Sequence, residues 1–303
     1  MRSKDAFSSY HPLVNFLYFA LVLVLAMFFT HPAAQAISLI TALIYAAQLN
    51  GRQALGKNLL WLLPMMGIAV IVNPAFNHAG VTILTYLPTG NPLTLESILY
   101  GISAGILLAA VIVWFQCYTA VMTSDKFIYL FGRIIPALSL VLSMTLRFVP
   151  KFKAQLQAVT EAQRCVGRDV SEGTVWQRIK TAVTILSILI TWALENAIET
   201  ADSMKSRGYG LPGRTAFSIY RFDSRDKAAL LWLGFCGFFI ASGWMAGGFY
   251  WRYYPTIKGA PVTPLTVMMH LCYLALCLTP VIVDRREEQT WKRLDREESS
   301  CGT

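Results

Sequence analysis

The sequence predicts an all-α fold: a polytopic membrane protein of about six transmembrane helices, with further long helices on the cytoplasmic side. Three observations carry this. Of 303 residues, 55% are hydrophobic and only 14% charged, whereas soluble domains carry about a quarter charged. Several apolar runs approach the ~20 residues that cross a bilayer. Half of the 26 Lys and Arg residues fall within positions 147–227, and positive charge tends to stay in the cytoplasm.

Taken in order, the spans are read at 13–30, 33–49, 58–73, 97–122, 228–250 and 264–283. Two further apolar stretches, 134–149 and 181–198, are compatible with crossing the lipid bilayer or lying along it. The connection 73–97 has no Lys or Arg, so it is expected outside. Arg2 and Lys4, Arg52 and Lys57, and Lys126 and Arg133 then fall inside. This gives cytoplasmic N- and C-termini in the cell membrane. Arg252 and Lys258 in an outer loop run against the pattern. Arg2, Lys4 and Ala34-Gln35-Ala36 imitate a cleavable leader. The apolar run is longer than a leader core and a second follows at once, so an uncleaved hairpin turning at His31-Pro32 is expected.

Three parts follow: a four-span block at 1–130, a basic helical module at 131–227, and a two-span hairpin with a polar tail at 228–303. Within the module, Pro150 suits a helical first turn, giving a helix from 150 to 166. A second runs from 175 or 180 to 207, with Glu195, Glu199 and Asp202 on one face. Its first half is apolar all round, so burial among lipid or other helices is expected there. Gly101-x-x-x-Gly105 and Gly243-x-x-x-Gly247 are spacings that allow close packing of membrane helices.

Both module helices stop alike. Glu161-Ala-Gln-Arg164-Cys165-Val166-Gly167 overlays Asp202-Ser-Met-Lys205-Ser206-Arg207-Gly208 in its acid, base, small residue and glycine. A glycine after a helical pattern is a left-handed stop, and a base in the last turn faces the negative end of the helix dipole. Two such tips fit a grip on two copies of a soluble partner.

Enzyme chemistry finds little support. The spans are nearly free of ionisable residues, and no phosphate-binding Gly-x-x-x-x-Gly-Lys-Ser/Thr loop, metalloprotease helix or nucleophile elbow is present. The Glu195/Glu199/Asp202 face reads as solvated or ion-paired surface, with Lys205 three residues after Asp202. Six cysteines contain no CxxC pair, and the four histidines (11, 31, 78, 270) are far apart in sequence. Neither a metal site, nor a cofactor, nor nucleic-acid binding is expected.

Met144-Thr-Leu-Arg147-Phe-Val-Pro150, Glu161-Ala-Gln-Arg164 and Ala201-x-x-Met-Lys-Ser206-Arg207-Gly208-Tyr209-Gly210 together resemble the T component of energy-coupling factor transporters, a family that includes the cobalt-transport permease. The resemblance covers most of the chain and is most specific at Ser206-Arg207-Gly208-Tyr209-Gly210. It implies a non-catalytic scaffold joining two ABC-type ATPases to a small membrane subunit that binds a vitamin, metal ion or other micronutrient. Coupling helices tipped by Ala/Ser-Arg-Gly would dock on the ATPases, which assigns docking to Arg164, Cys165, Val166 and Gly167 and to Ser206, Arg207 and Gly208. Arg147, Asp202 and Lys205 would support them. Two departures stand out. Val166 occupies the place of the first tip's arginine, so either Arg164 or Arg168 supplies the charge or that tip docks by apolar contact. His11-Pro12-Leu-Val-Asn15 stands where family members often carry Asp-Pro-Arg-x-Lys. Competing readings are a self-sufficient secondary transporter, which should show charged or broken spans, and a membrane-embedded enzyme, which should show polar residues converging at one depth.

Overall fold

The computed structural model describes residues 5–86, 92–132, 135–171, 173–212 and 220–301. A 3₁₀ turn at Phe7–Ser9 precedes α1 (Pro12–Phe28), α2 (Pro32–Asn50), α3 (Arg52–Phe76), α4 (Leu95–Val121), α5 (Ser124–Gly132), α6 (Pro136–Cys165), α7 (Val175–Ser206), α8 (Ser224–Met245) and α9 (Pro264–Cys301). The all-α polytopic expectation therefore holds. The two small antiparallel ribbons, β1 (Ile83–Tyr86) with β2 (Pro92–Thr94) and β3 (Trp251–Arg252) with β4 (Lys258–Gly259), were not foreseen. Helices α2, α4, α7, α8 and residues Pro264–Leu294 of α9 are long and apolar enough to cross a membrane. Shorter apolar segments are α1 and Leu60–Phe76 of α3. The chain divides into two compact units: Met1–Thr123 with Tyr220–Thr303, and Ser124–Ile219.

In the first unit, α1 and α2 start alike. His11 and His31 each accept the N–H two residues on through Nδ1, at 3.2 and 3.3 Å, and a proline follows as first helical residue, where its missing N–H costs nothing. The expected hairpin turn at His31-Pro32 is present. His11 also donates its own N–H to Asp226 of α8 at 2.9 Å, and buried Asn15 donates to Tyr10 O at 3.4 Å. The departure at His11–Asn15 is thus a structural clasp between α1 and the start of α8.

Helix α2 packs on α3, α4 and α9, and α4 also receives α1. Trp114, Tyr18, Tyr45 and Tyr273 are fully buried at their centre. Polar groups there find interhelical partners: Trp114 Nε1 donates to Ser38 Oγ at 3.1 Å, Ser103 Oγ to Gln35 Oε1 at 2.8 Å and Tyr18 Oη to Cys277 O at 3.0 Å. In a bilayer each is worth about 0.6–2 kcal/mol. Gly101 and Gly105 face the α3 backbone; a Cβ on Gly101 would stand 3.2 Å from Val70 Cα. Of the second glycine pair, Gly243 lets Met269 approach, but Gly247 is a helix stop with φ +81°.

At one end of this unit the Phe7 N–H is shared by the carboxylates of Asp5 (3.2 Å) and Asp284 (3.0 Å). Asp284 directly follows the stretch 264–283 read from the sequence as the last span. Burial, then the hydrogen bond and charge of Asp5, push its carboxyl up to about 7. A raised carboxylate pKa contributes stability below the unfolded value, and that contribution is lost as pH rises through the folded value. Asp284→Asn is therefore expected to raise the thermal midpoint at pH 8 and leave it unchanged at pH 4, measured by scanning fluorimetry in detergent.

In the second unit, α5 packs on α6 and α6 on α7. One expectation is corrected: α6 runs unbroken from Pro136 through Pro150, so no helix begins at 150. An interior proline costs about 3 kcal/mol, but the turn around it is pinned to α7. Phe152 meets the Trp192 ring edge-on at 5.5 Å, and Lys151 Nζ donates to Asn196 Oδ1 at 2.9 Å while lying 5.6 Å from that ring. In the apolar first half of α7, Ile185 is the one residue buried by protein among those described; the helix is long and apolar enough for lipid to cover the rest.

Candidate functional site

Both tips close with the same hydrogen-bond pattern. At the first, Gly167 N–H reaches Arg164 O at 3.0 Å and Arg168 N–H reaches Gln163 O at 2.9 Å. At the second, Gly208 N–H reaches Lys205 O at 2.9 Å and Tyr209 N–H reaches Met204 O at 3.0 Å. Each is a Schellman stop, which satisfies carbonyls that the ended helix leaves open. The capping residues agree closely in backbone angle, φ −87°, ψ 8° for Val166 and φ −84°, ψ 9° for Arg207. Gly167 (φ +79°) and Gly208 (φ +77°) take the left-handed conformation that side chains disfavour. The overlay of the two motifs is thus an overlay of geometry. The stop alone is generic, for α8 ends the same way at Gly247.

The linker fixes where the tips lie. Arg164 Nε pairs with Asp169 Oδ2 at 3.1 Å, and Arg178 Nε donates to Val170 O at 2.7 Å. The first turn of α7 is therefore held beside the last turn of α6. Helix α7 has 32 residues, about 48 Å at ~1.5 Å per residue, so the second tip stands roughly 40 Å from the first. The Phe152–Trp192 crossing divides this span. Thirteen residues separate Phe152 from Cys165 and fourteen separate Trp192 from Ser206, so each tip stands about 20 Å beyond the crossing.

The tips differ in chemistry. Ser206, Arg207, Lys205 and Asp202 are exposed at the second. Asp202 and Lys205 form no ion pair with each other among the described residues; pairing two long exposed side chains gains little. A guanidinium there offers a planar fork matched to a partner carboxylate. At the first tip Cys165 and Gly167 are exposed, and Val166 is 72% exposed. Arg164 is engaged by Asp169, whose carboxyl is held below its usual range first by the Ser171 N–H and then by weaker contacts including Arg164. The same end carries exposed Val175, Trp176 (80%) and Ile179. This apolar group was missed in the sequence, although the 175/176/179 spacing after the Thr174 cap marks one helix face. Arg147 lies on α6 one turn before Lys151, exposed and far from both tips. Among the described residues no three His, Cys, Asp or Glu side chains converge as for a metal.

A family model described as cobalt transport protein matches residues 6–217. The energy-coupling factor transporter transmembrane protein EcfT of Bacillus selenitireducens is 34% identical over 112 residues, covering 36% of this chain and 42% of the relative. Its namesake from Lacticaseibacillus paracasei is 36% identical over 107 residues, 35% of this chain and 39% of the relative. The chain thus spans about two fifths of these relatives' length. The resemblance carried by the motifs around Arg147, Arg164 and Arg207 is borne out, and since the matched residues include both helix stops and most of the spans, the chain belongs to the cobalt transport protein family.

Proposed function

We propose that this multi-pass membrane protein is the transmembrane coupling subunit of an ABC-type energy-coupling factor importer. It transmits ATP-driven movement of two cytoplasmic ATPases to a small substrate-binding membrane subunit, for uptake of a vitamin, metal ion or other micronutrient. The observation that carries this reading is the pair of matching helix stops roughly 40 Å apart on crossed helices. One soluble domain cannot easily take both, whereas two side by side can. Closure of the ATPases on nucleotide would draw on both tips, and packed helices pass such displacements on as rigid bodies. The chain itself is not a catalyst in this scheme. The distribution of Lys and Arg supports cytoplasmic termini and a cytoplasmic face for both tips.

Affinity purification of the tagged chain from its native membranes tests the reading. The expected result is recovery of two ATPase subunits and one small membrane protein per chain; recovery of the chain alone, active in uptake after reconstitution, would overturn it. Apolar docking at the first tip is supported by exposed Val166 and Trp176 and by the engagement of Arg164. Val166→Asp is accordingly expected to lower the recovered ATPase several-fold, and Arg164→Ala to leave it unchanged, as measured by quantitative gel densitometry.

A further inference from the structure

The histidines that are distant in sequence do not all stay apart. His31, which caps α2, and His270, in the second turn of α9, bring Nδ1 and Nε2 within 3.3 Å of each other. Their other hydrogen bonds fix what each nitrogen presents. Thr266 O lies 2.7 Å from His270 Nδ1 and can only accept, so Nδ1 carries the hydrogen and Nε2 of the neutral ring carries a lone pair. The Ala33 N–H lies 3.3 Å from His31 Nδ1 and can only donate, so that nitrogen presents a lone pair as well. The rings are inclined at 61° with centroids 4.7 Å apart, and the contact is oblique. Two neutral rings placed this way repel unless something electron-poor lies between them.

We propose that His31 and His270 form a binding site for a divalent first-row transition-metal ion, with Zn²⁺ the simplest occupant. The spacing fits, because two imidazole nitrogens at ~2.0–2.1 Å on a tetrahedral ion stand roughly 3.3 Å apart. The Nδ1–H of His270 on a backbone carbonyl is the outer contact that metal-bound histidines usually make. Neighbouring rings hold both imidazoles in place, Trp251 edge-on to His31 at 5.0 Å and Phe249 against His270 at 4.8 Å. Both histidines line a cavity of about 260 Å³ whose other walls are largely aliphatic, among them Ile37, Val267 and Leu271. No third His, Cys, Asp or Glu joins them among the described residues, so the remaining positions on the ion go to water or to a donor arriving in the cavity. The buried Trp251 indole N–H, in the ring that packs on His31, has no hydrogen-bond partner among the described residues. The weak Ala33 cap is the one native contact the ion would compete with.

The test uses the full chain, purified with a histidine-free tag, stripped with chelator and titrated with Zn²⁺ alone. One ion per chain is expected, with X-ray absorption reporting two imidazole nitrogens. His31→Asn, which keeps a capping side chain, and His270→Gln should each weaken binding tenfold or more, with melting temperatures of the stripped proteins close to wild type. Unchanged affinity in both variants overturns the proposal. So does bound Zn²⁺ without imidazole ligands, or an NMR titration in which the pair takes up a shared proton but the protein binds no Zn²⁺. Should His270→Gln fail to fold, His31→Asn and the wild-type absorption spectrum decide alone.

Discussion

Arg207→Glu is expected to abolish substrate uptake and to release at least one ATPase, while membrane insertion and yield stay at wild-type levels. The helix stop does not need the arginine. Val166 occupies the matching cap with nearly the same φ and ψ, and the two residues after it donate the same pair of closing hydrogen bonds as those after Arg207, so the chain itself demonstrates that an uncharged residue fits this turn. What the substitution removes is the guanidinium to which the proposed docking assigns the partner contact. Truncating one member of a buried, hydrogen-bonded charge pair costs about 2–5 kcal/mol, which is ~30-fold or more in affinity at 1.4 kcal/mol per factor of ten. Reversing the charge adds repulsion against the partner carboxylate. Arg207→Lys should fall between, since an ammonium keeps the charge and loses the bidentate fork. The measurements are ATPase recovered per chain and uptake into reconstituted vesicles. Wild-type values of both in Arg207→Glu would remove the docking role.

The second large effect is on folding. Gly101→Leu is expected to abolish accumulation of monodisperse protein in detergent extracts, followed by fluorescence-detected gel filtration. A Cβ at position 101 would lie 3.2 Å from Val70 Cα and 3.3 Å from the Ala69 and Val70 carbonyl oxygens. Those atoms are backbone and cannot swing away, so α3 and α4 would have to part. Overpacking a well-fitted contact typically costs about 1–3 kcal/mol, and a leucine adds three carbons beyond an already crowded Cβ. Gly67→Ala serves as the control, because nothing lies within 4 Å of the position its Cβ would take. A normal elution peak for Gly101→Leu would show that α3 and α4 do not pack through this glycine.

Periodicity and charge made the spans legible, and Gly167 and Gly208 marked both stops correctly because a left-handed stop leaves a local trace in sequence. Continuity through Pro150 was not legible. A proline signals a boundary unless distant contacts hold the helix together, and the contacts in question, Phe152 on Trp192 and Lys151 on Asn196, join residues forty or more positions apart. The same limit hid the meeting of His31 and His270 and the role of His11 and Asp226 as a clasp. At the first tip, Val166 was visible as a departure. Its meaning depended on Asp169 occupying Arg164, and pairing across a loop cannot be read from spacing alone.

The crossing at Phe152 and Trp192 makes α6 and α7 a balance with nearly equal arms, thirteen and fourteen residues long. Such a linkage neither amplifies nor diminishes: travel imposed on one tip comes back at the other in the same measure. Gain is then set by where the aromatic pivot sits along the helices. Moving that pivot by one helical turn, ~5.4 Å, would make the arms unequal by about half the length of either, and the travel passed between the tips would change with no residue of either tip altered.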